Sequence, residues 1–106
     1  MARQLSVASL AVLHAVASGT HHGFDIIDVT GLGSGTVYPI LRRLEAAGLL
    51  RGSPEAAHKA WDAGRPPRRY YAVTRAGADA LAVALERHPG AALLLGARAT
   101  PRPDPA

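Results

Sequence analysis

The stretch from Gly33 to Leu50, GSGTVYPILRRLEAAGLL, constrains the fold more than any other part of the chain. Its apolar residues recur at helical spacing and share one face, while small, aromatic and basic residues occupy the opposite face. Ser34 is the predicted cap, and Gly48 ends the helix because glycine adopts a left-handed conformation without steric cost. The predicted buried residues are Val37, Ile40, Leu41 and Leu44. The pattern predicts either a helix that enters a DNA major groove or an ordinary amphipathic helix with a solvated outer face.

A second, shorter helix is predicted just before this stretch, from His21 to Val29, with Thr20 as its cap. Its predicted buried residues are Phe24 and Ile27. Gly23 lies inside this helix, where glycine costs roughly 1 kcal/mol relative to alanine, and a closely packed neighbouring helix would explain it. Residues 30–33 form a short turn that contains glycine. A helix, a short turn and another helix at this spacing predict a helix-turn-helix.

The N-terminal segment from Gln4 to Ser18 predicts a helix with two apolar stripes, which indicate burial on two sides. One stripe consists of Leu5, Ala8, Val12 and Val16, and the other of Val7, Leu10, Leu13 and Ala17. One of these two stripes can pack on the core of its own domain, and the other requires another surface. The sequence therefore predicts a partner subunit and a homodimer.

Two short strands are predicted after the amphipathic helix, over Leu49–Gly52 and Arg68–Thr74. Tyr71 and Val73 are predicted to face the core, because alternate residues of a strand share a face. About fifteen residues connect the strands, a long connection for a hairpin. Its Trp61 is predicted to seal the base of the ribbon, with stacking on a ligand as the alternative. A two-stranded ribbon in this place is a wing, and the arginines of GRPPRR suit a phosphate backbone or a minor groove; a solvated basic loop is the other interpretation.

The positive charge of the chain is concentrated in one segment. Eight basic and three acidic residues lie between Arg42 and Arg75, a net charge of +5, whereas the whole chain carries +4. Clustering of this kind is typical of proteins that bind nucleic acids. Most of these basic residues are arginines, whose planar guanidinium group suits phosphate and guanine. The charge distribution therefore favours an anionic partner.

A last helix is predicted to begin at Arg75, with Thr74 as its cap, and to break at Pro89 and Gly90. Its predicted apolar face is Ala78, Leu81, Ala82 and Leu85. Residues 91–99 are apolar enough for further helical turns, and the proline-rich residues 100–106 are predicted to be disordered. We therefore expect a helix-turn-helix and wing domain at 4–74, a dimerisation helix with a kinked extension at 75–99, and a tail.

Other classes of protein are disfavoured. The chain has no cysteine, so disulfides and thiolate metal sites are excluded and a reducing cytoplasm is expected. Nothing in the sequence resembles a signal peptide, and no apolar run approaches the length of a membrane span. Adjacent His21 and His22 diverge on a helix, so neither a metal site nor a cofactor is predicted. The carboxylates Asp25, Asp28 and Glu86 have no nucleophile and base around them, which argues against an enzyme.

Three blocks, in the same order, resemble the PadR family of bacterial transcriptional regulators: HHGFDI at 21–26, GSGTVYPILRRLEAAGLL at 33–50 and GRPPRRYYAVTRAG at 64–77. The resemblance covers roughly residues 5–88, although the family usually has tyrosine at the position of Phe24. It implies a mainly α fold with a small β-wing: three N-terminal helices in a winged helix-turn-helix, a two-stranded wing and a C-terminal dimerisation helix. It also implies a homodimer that binds a palindromic DNA operator, usually as a repressor.

The resemblance implies the site residues as well. The expected DNA-binding residues are Ser34, Thr36, Tyr38, Arg42, Arg65, Arg68 and Arg69. The expected dimer interface is Leu5, Val12, Val16, Leu81 and Leu85. Because the last helix meets Pro89 after about fourteen residues, the chain resembles a short-form member with a curtailed dimerisation arm. A small-molecule effector is expected at the dimer interface rather than within one monomer. The residues expected near it are Val12, Val16, Leu81 and Leu85.

Two classes of function follow. The first is a DNA-binding regulator, and the alternative is a winged-helix module that recognises another protein through the same helix and wing. Affinity for DNA that falls steeply with salt distinguishes the first from the second, because DNA binding releases counterions from phosphates.

Overall fold

The computed structural model describes residues 5–94, apart from the side chains of Ala92 and Leu94. Within this range the chain is mainly helical with one antiparallel two-stranded sheet, as predicted. The elements are α1 (Val7–Ala17), α2 (Gly23–Thr30), α3 (Ser34–Ala46), β1 (Leu50–Pro54), α4 (Ala57–Asp62), β2 (Arg69–Val73), α5 (Arg75–Arg87) and α6 (Pro89–Leu94). None of these helices combines the length and the apolar character that a membrane crossing requires. The predicted helix start at Gln4, the predicted turns at 95–99 and the predicted tail lie outside the described residues.

Helix α1 runs through the centre of the molecule and contacts α2, α3, α5 and β2. It begins at Val7 because the Ser6 hydroxyl accepts a hydrogen bond from the Ser9 amide, 3.1 Å away. Both predicted apolar stripes contribute buried residues to the core of the single chain. Val12 and Val16, expected at a dimer interface, are 0 % and 2 % exposed, so they are not available at the surface. The burial that indicated a partner subunit is thus partly met within the chain itself, whereas Val7 and Ala17 of the second stripe are exposed.

Helix α2 begins later than predicted, with His22 rather than Thr20 at its N-cap. The cause is a pairing between the residues before α2 and the second wing strand. The Tyr71 amide donates to the His21 carbonyl over 2.7 Å, and His22 forms an antiparallel bridge with Tyr70. This short extended segment delays the first helical turn.

The buried face of α2 also differs from the prediction. Ile26 is fully buried, whereas Phe24 is 67 % exposed and Ile27 is half-buried. Gly23 is buried because the Tyr38 ring of α3 covers it: a Cβ added there would lie 2.6 Å from the ring atom Cε1. The prediction that a neighbouring helix comes close at Gly23 is confirmed.

Helix α3 is the second helix of the helix-turn-helix. Its buried residues are the predicted Val37, Ile40, Leu41 and Leu44. Its N-cap is Gly33 rather than Ser34, which is the first helical residue, and no side chain in the described part of the chain caps it. Gly48, with a φ of 78°, follows the helix as predicted.

Strands β1 and β2 pair antiparallel, with Leu50 opposite Val73 and Gly52 opposite Tyr71. Tyr71 is buried and Val73 packs against the core, as the alternation of the strand predicts. The sheet is therefore attached to the helices through one face of β2 and through Leu50 of β1, which is also buried in the core.

The connection between the strands is folded rather than open, because residues 57–62 form α4. Ala60 points inward and is buried. Trp61 is 84 % exposed, so the prediction that it seals the base of the wing is wrong. On a helix the next side chain points about 100° away from its neighbour, which turns the indole outward once Ala60 faces inward.

Helix α5 begins as predicted, because the Thr74 hydroxyl accepts a hydrogen bond from the Gly77 amide over 3.0 Å. Its inward-facing residues are Gly77, Leu81, Ala84 and Leu85. Ala78 and Ala82, predicted on this face, are exposed, since the close packing of Gly77 sets the helix rotation. The helix ends at Arg87, and α6 begins at Pro89, where a break was predicted.

Gly77→Ala is expected to destabilise the fold by about 2 kcal/mol or more, because its Cβ would overlap the Leu49 carbonyl oxygen. Urea denaturation followed by circular dichroism measures the change. Gly35→Ala is the matched control, since Gly35 has open space around it in α3. That control should gain up to about 1 kcal/mol from the helical preference of alanine. Equal stability of the two variants would contradict the close approach at Gly77.

Candidate nucleic-acid interface

The outer face of α3 carries exposed polar side chains. Ser34, Thr36 and Arg42 are exposed, and so is Arg43, which the sequence analysis did not include among the site residues. Within residues 5–94, neither arginine makes an ion pair or a side-chain hydrogen bond. The guanidinium donors of both are therefore available to a ligand outside this part of the chain.

Tyr38, expected to reach DNA from the same face, is half-buried and packs against the core. Its ring occupies the space that Gly23 leaves open on α2. The ring thus holds α2 against α3, and a smaller fraction of its surface is exposed than for Ser34 or Thr36.

A carboxylate holds the connection between the wing strands together. Arg65 Nη1 and Nη2 donate to Glu55 Oε1 and Oε2 over 2.5 and 2.9 Å. The same carboxylate accepts hydrogen bonds from the Arg68 amide at 3.2 Å and the Tyr70 hydroxyl at 3.0 Å, and the Glu55 side chain is only 6 % exposed. The hydrogen bonds from Arg65, followed by those from Arg68 and Tyr70, lower the pKa of Glu55 to about 2. Arg65, expected to bind DNA, therefore uses its donors inside the wing.

Arg69 is also paired within the protein. Its Nη2 donates to Glu45 Oε2 on α3 over 2.6 Å, and this hydrogen bond raises the pKa of Arg69 above its ordinary value. The guanidinium carbon lies 6.0 Å from the centre of the Tyr71 ring. Two of the three wing arginines expected to bind DNA thus have carboxylate partners in the folded chain.

Arg68 lies where the wing meets α2. Its Nη1 is 3.3 Å from His22 Nε2, which is 2.9 Å from Asp25 Oδ2. The His22 ring packs edge-on against the Tyr70 ring, with 5.8 Å between the centroids. Within residues 5–94 no third His, Asp or Glu side chain joins this pair as a metal ligand would. Arg68 is therefore positioned by α2 as well as by the wing, where it directly precedes β2.

Three further basic side chains of this region are exposed and have no ion-pair partner in the described part of the chain: Arg51 on β1, Lys59 on α4 and Arg75 on α5. All three belong to the positive segment of the sequence, but none of them is among the predicted site residues. Each ion pair neutralises one positive and one negative charge, so the segment keeps its net positive charge. The signal that some arginines were paired was the presence of Glu45 and Glu55 among so many basic residues.

The surface described so far, a helix with a basic outer face beside a wing, agrees with the comparison to protein families. The model of the transcriptional regulator PadR-like family matches residues 12–83. The chain belongs to this family. Its members are transcriptional regulators, which confirms the prediction that the chain is not an enzyme. A search of curated proteins found no significant match to this PadR-like chain.

Solved structures are similar to the PadR-like chain in fold. A PadR-like transcriptional regulator from Bacillus cereus has 20 % identity and a TM-score of 0.63, over 85 % of this chain and 88 % of that one. The smu.1704 protein of Streptococcus mutans has 21 % identity and a TM-score of 0.61, over 96 % and 99 %. BpsR of Bordetella bronchiseptica, whose DNA binding is regulated by 6-hydroxynicotinic acid, has 22 % identity and a TM-score of 0.62, over 88 % of this chain. The match spans 63 % of the length of BpsR.

Glu55→Gln is expected to lower the melting temperature at neutral pH, and its difference from wild type should disappear in acid. The folded pKa of about 2 lies below the ordinary value of 4.5. A lowered pKa means that the carboxylate stabilises the fold fully above the ordinary value and loses this effect as the pH falls towards the folded value. Thermal unfolding from about pH 2 to about pH 7 measures the difference. A difference that stays constant over this range would contradict the role of the carboxylate charge.

Proposed function

We propose that this PadR-like protein is a sequence-specific DNA-binding regulator, which acts in the cytoplasm and represses transcription by occupying a palindromic operator as a homodimer. The observation that supports the proposal most directly is the outer face of α3. There Arg42 and Arg43 are exposed without a partner among residues 5–94, on the same helix as the exposed Ser34 and Thr36 of its first turn. We refer to α3 as the recognition helix.

The recognition helix suits a major groove because its outward side chains are short at the N-terminus and long and basic further along. Arg42 can donate two hydrogen bonds to O6 and N7 of a guanine. At the other end, Gly33 leaves the first amides of the helix without a side-chain cap from the described residues. Such amides, together with the helix dipole, favour a DNA phosphate. One helix therefore offers both base contacts and a backbone contact.

The wing adds contacts to the DNA backbone in this proposal. The exposed side chains of Arg51 and Lys59 and the half-buried Arg68 supply its positive charge. Contacts to phosphate fix the register of a protein on the duplex without reading sequence. Because Arg68 is held beside His22 of the α2 N-terminus, its phosphate contact is placed relative to the helix-turn-helix.

We place the dimer contact on exposed apolar residues of three adjoining elements: Val7 of α1, Val83 of α5 and Leu93 of α6. Val7 also lines an open cleft of about 540 Å³, whose other lining residues are Leu5, Ser6, Leu10 and residues 87–91. Leu5, expected at the interface, lines this cleft. A two-fold dimer presents two recognition helices to two half-sites, which makes the operator palindromic.

We place the effector site in the same cleft. Cavities for small ligands measure roughly 300–1,000 Å³. Arg87 and His88 lie on its wall, and the positive guanidinium suits a carboxylate. The similar fold of BpsR, a protein regulated by an aromatic acid, supports this choice of ligand class. The sequence analysis placed the effector near Val12 and Val16, but those side chains belong to the packed core and leave no room for a ligand.

Selection of bound fragments from genomic DNA, followed by binding at several salt concentrations, tests the proposed function. The proposal predicts enrichment of a palindrome and an affinity that falls steeply with salt. A module that docks on proteins would instead bind no duplex at low salt.

Arg42→Ala and Arg68→Ala are expected to separate base reading from backbone contact. Arg42→Ala should weaken binding to the selected operator by about 1–3 kcal/mol and relax the base preference at one position of the site. Arg68→Ala should weaken operator and unrelated DNA by similar factors and reduce the salt slope by about 0.9. Fluorescence anisotropy with operator and scrambled duplexes measures both. A uniform loss across sequences in Arg42→Ala would remove its base-reading role.

Leu93→Lys is expected to convert a dimer into a monomer, because it places a charge in the apolar contact proposed for α6. Light scattering coupled to size-exclusion chromatography measures the mass. Phe24→Lys is the matched control, since Phe24 is also exposed and apolar but lies on α2. A wild-type protein with the mass of one chain at micromolar concentration would refute the dimer, and a monomeric Phe24→Lys variant would refute its location.

A further inference from the structure

An ion pair between side chains crosses the first strand of the wing and reaches the recognition helix. Arg69 on β2 donates to Glu45 on α3, 24 positions earlier in the chain, over 2.6 Å. Both side chains come close to Gly52 of β1, which lies between them. The contact therefore depends on the tertiary arrangement of three elements rather than on local sequence.

The glycine at position 52 is explained by this pair. A Cβ added to Gly52 would lie 2.7 Å from Nε and Nη2 of Arg69 and 2.8 Å from Oε2 of Glu45. The nearest obstacles are thus the ends of two flexible side chains and not backbone. Gly52 does not have a positive φ, so backbone conformation does not require glycine here. A larger residue would displace the ion pair and leave the strand in place.

We propose that Glu45 and Arg69 form a strap that sets the angle of the wing against the recognition helix, which makes Glu45 a positioning residue for DNA binding. This inference rests on the proposed function. At the base of the wing, the Thr74 hydroxyl donates to the Gly48 carbonyl over 2.6 Å. That bond lies at the junction itself, whereas the strap connects β2 to α3 above the junction and so resists rotation about it.

In the strap, Arg69 positions the wing instead of contacting a phosphate. The two roles predict opposite effects on DNA affinity when the charge of Glu45 is removed. If electrostatics alone matters, removal of the Glu45 charge strengthens DNA binding, because the protein becomes more positive. If the strap positions the wing, the same change weakens binding. The pair is partly exposed, and such pairs contribute little to stability, so the variants remain folded.

Operator affinity is measured by fluorescence anisotropy at several salt concentrations for Glu45→Gln, Arg69→Gln, Gly52→Ala and the Glu45→Gln/Arg69→Gln double variant. Each single variant is expected to bind the operator at least roughly threefold more weakly, because a wing that is held loosely makes its DNA contacts in the correct geometry less often. The double variant should be no weaker than the weaker single variant, since both changes remove one interaction. The salt slope should stay at its wild-type value. Glu86→Gln, which removes the same charge from the exposed Glu86 of α5, is the control and should not weaken binding.

The single tryptophan of the chain provides a second measurement that needs no DNA. Trp61 lies on α4 in the wing, so its time-resolved fluorescence anisotropy reports nanosecond motion of the wing in the free protein. The three strap variants, which are the single substitutions Glu45→Gln, Arg69→Gln and Gly52→Ala, should show a larger amplitude of this motion than wild type. Glu86→Gln should show the wild-type amplitude. A protein that binds no duplex but shows this change retains the strap and loses the proposed function.

Two results overturn the strap. The first is a Glu45→Gln variant that binds the operator as tightly as wild type or more tightly, while Arg69→Gln loses affinity and about 0.9 of the salt slope. That pattern identifies Arg69 as a direct phosphate contact. The second is Trp61 anisotropy that stays unchanged in all three strap variants.

Discussion

The burial of α1 on nearly all sides is the constraint on which the rest of the structure depends. A helix that is apolar around most of its circumference has no face to give to water, so other elements must cover it. The covering elements include α3, whose outer face we propose to read DNA, and β2, which belongs to the wing. The recognition helix buries residues such as Leu41 against the core, and β2 inserts Tyr71. Helix and wing are therefore both positioned by one buried helix.

Carboxylates organise the wing of a basic protein. Burial of an acidic side chain is costly unless its oxygens are hydrogen-bonded, and Glu55 meets this condition with donors from Arg65, Arg68 and Tyr70. Glu45 fixes a second arginine from outside the wing. The unpaired arginines of a positive surface repel one another, so ion pairs of this kind are needed to keep the surface in a defined shape. The arginines of this region thus divide into those that build the surface and those that are available to a ligand.

Local patterns predicted the parts of the fold that local interactions determine. Helical spacing predicted the buried face of α3, and a hydroxyl at position 74 predicted the start of α5. Two groups of wrong predictions, those on α2 and those on the wing arginines, have distant partners as their cause. Phe24 was expected in the core, but the pairing of His21 with Tyr71, 50 positions away, sets where α2 begins and which side it buries. Likewise, the sequence shows that Arg65 and Arg69 are basic, but only the fold shows that each forms an ion pair with a glutamate.

The segment before α2 is, in effect, a third partner of the wing sheet, since it hydrogen-bonds to β2 through His21 and bridges it through His22. The wing of this protein is therefore not a cassette that can be exchanged on its own. A wing taken from a relative would bring a foreign β2 next to His22 and alter the entry into α2, and with it the orientation of the helix that α2 supports. A change in β2 that alters this pairing is therefore expected to shift the start of α2 as well.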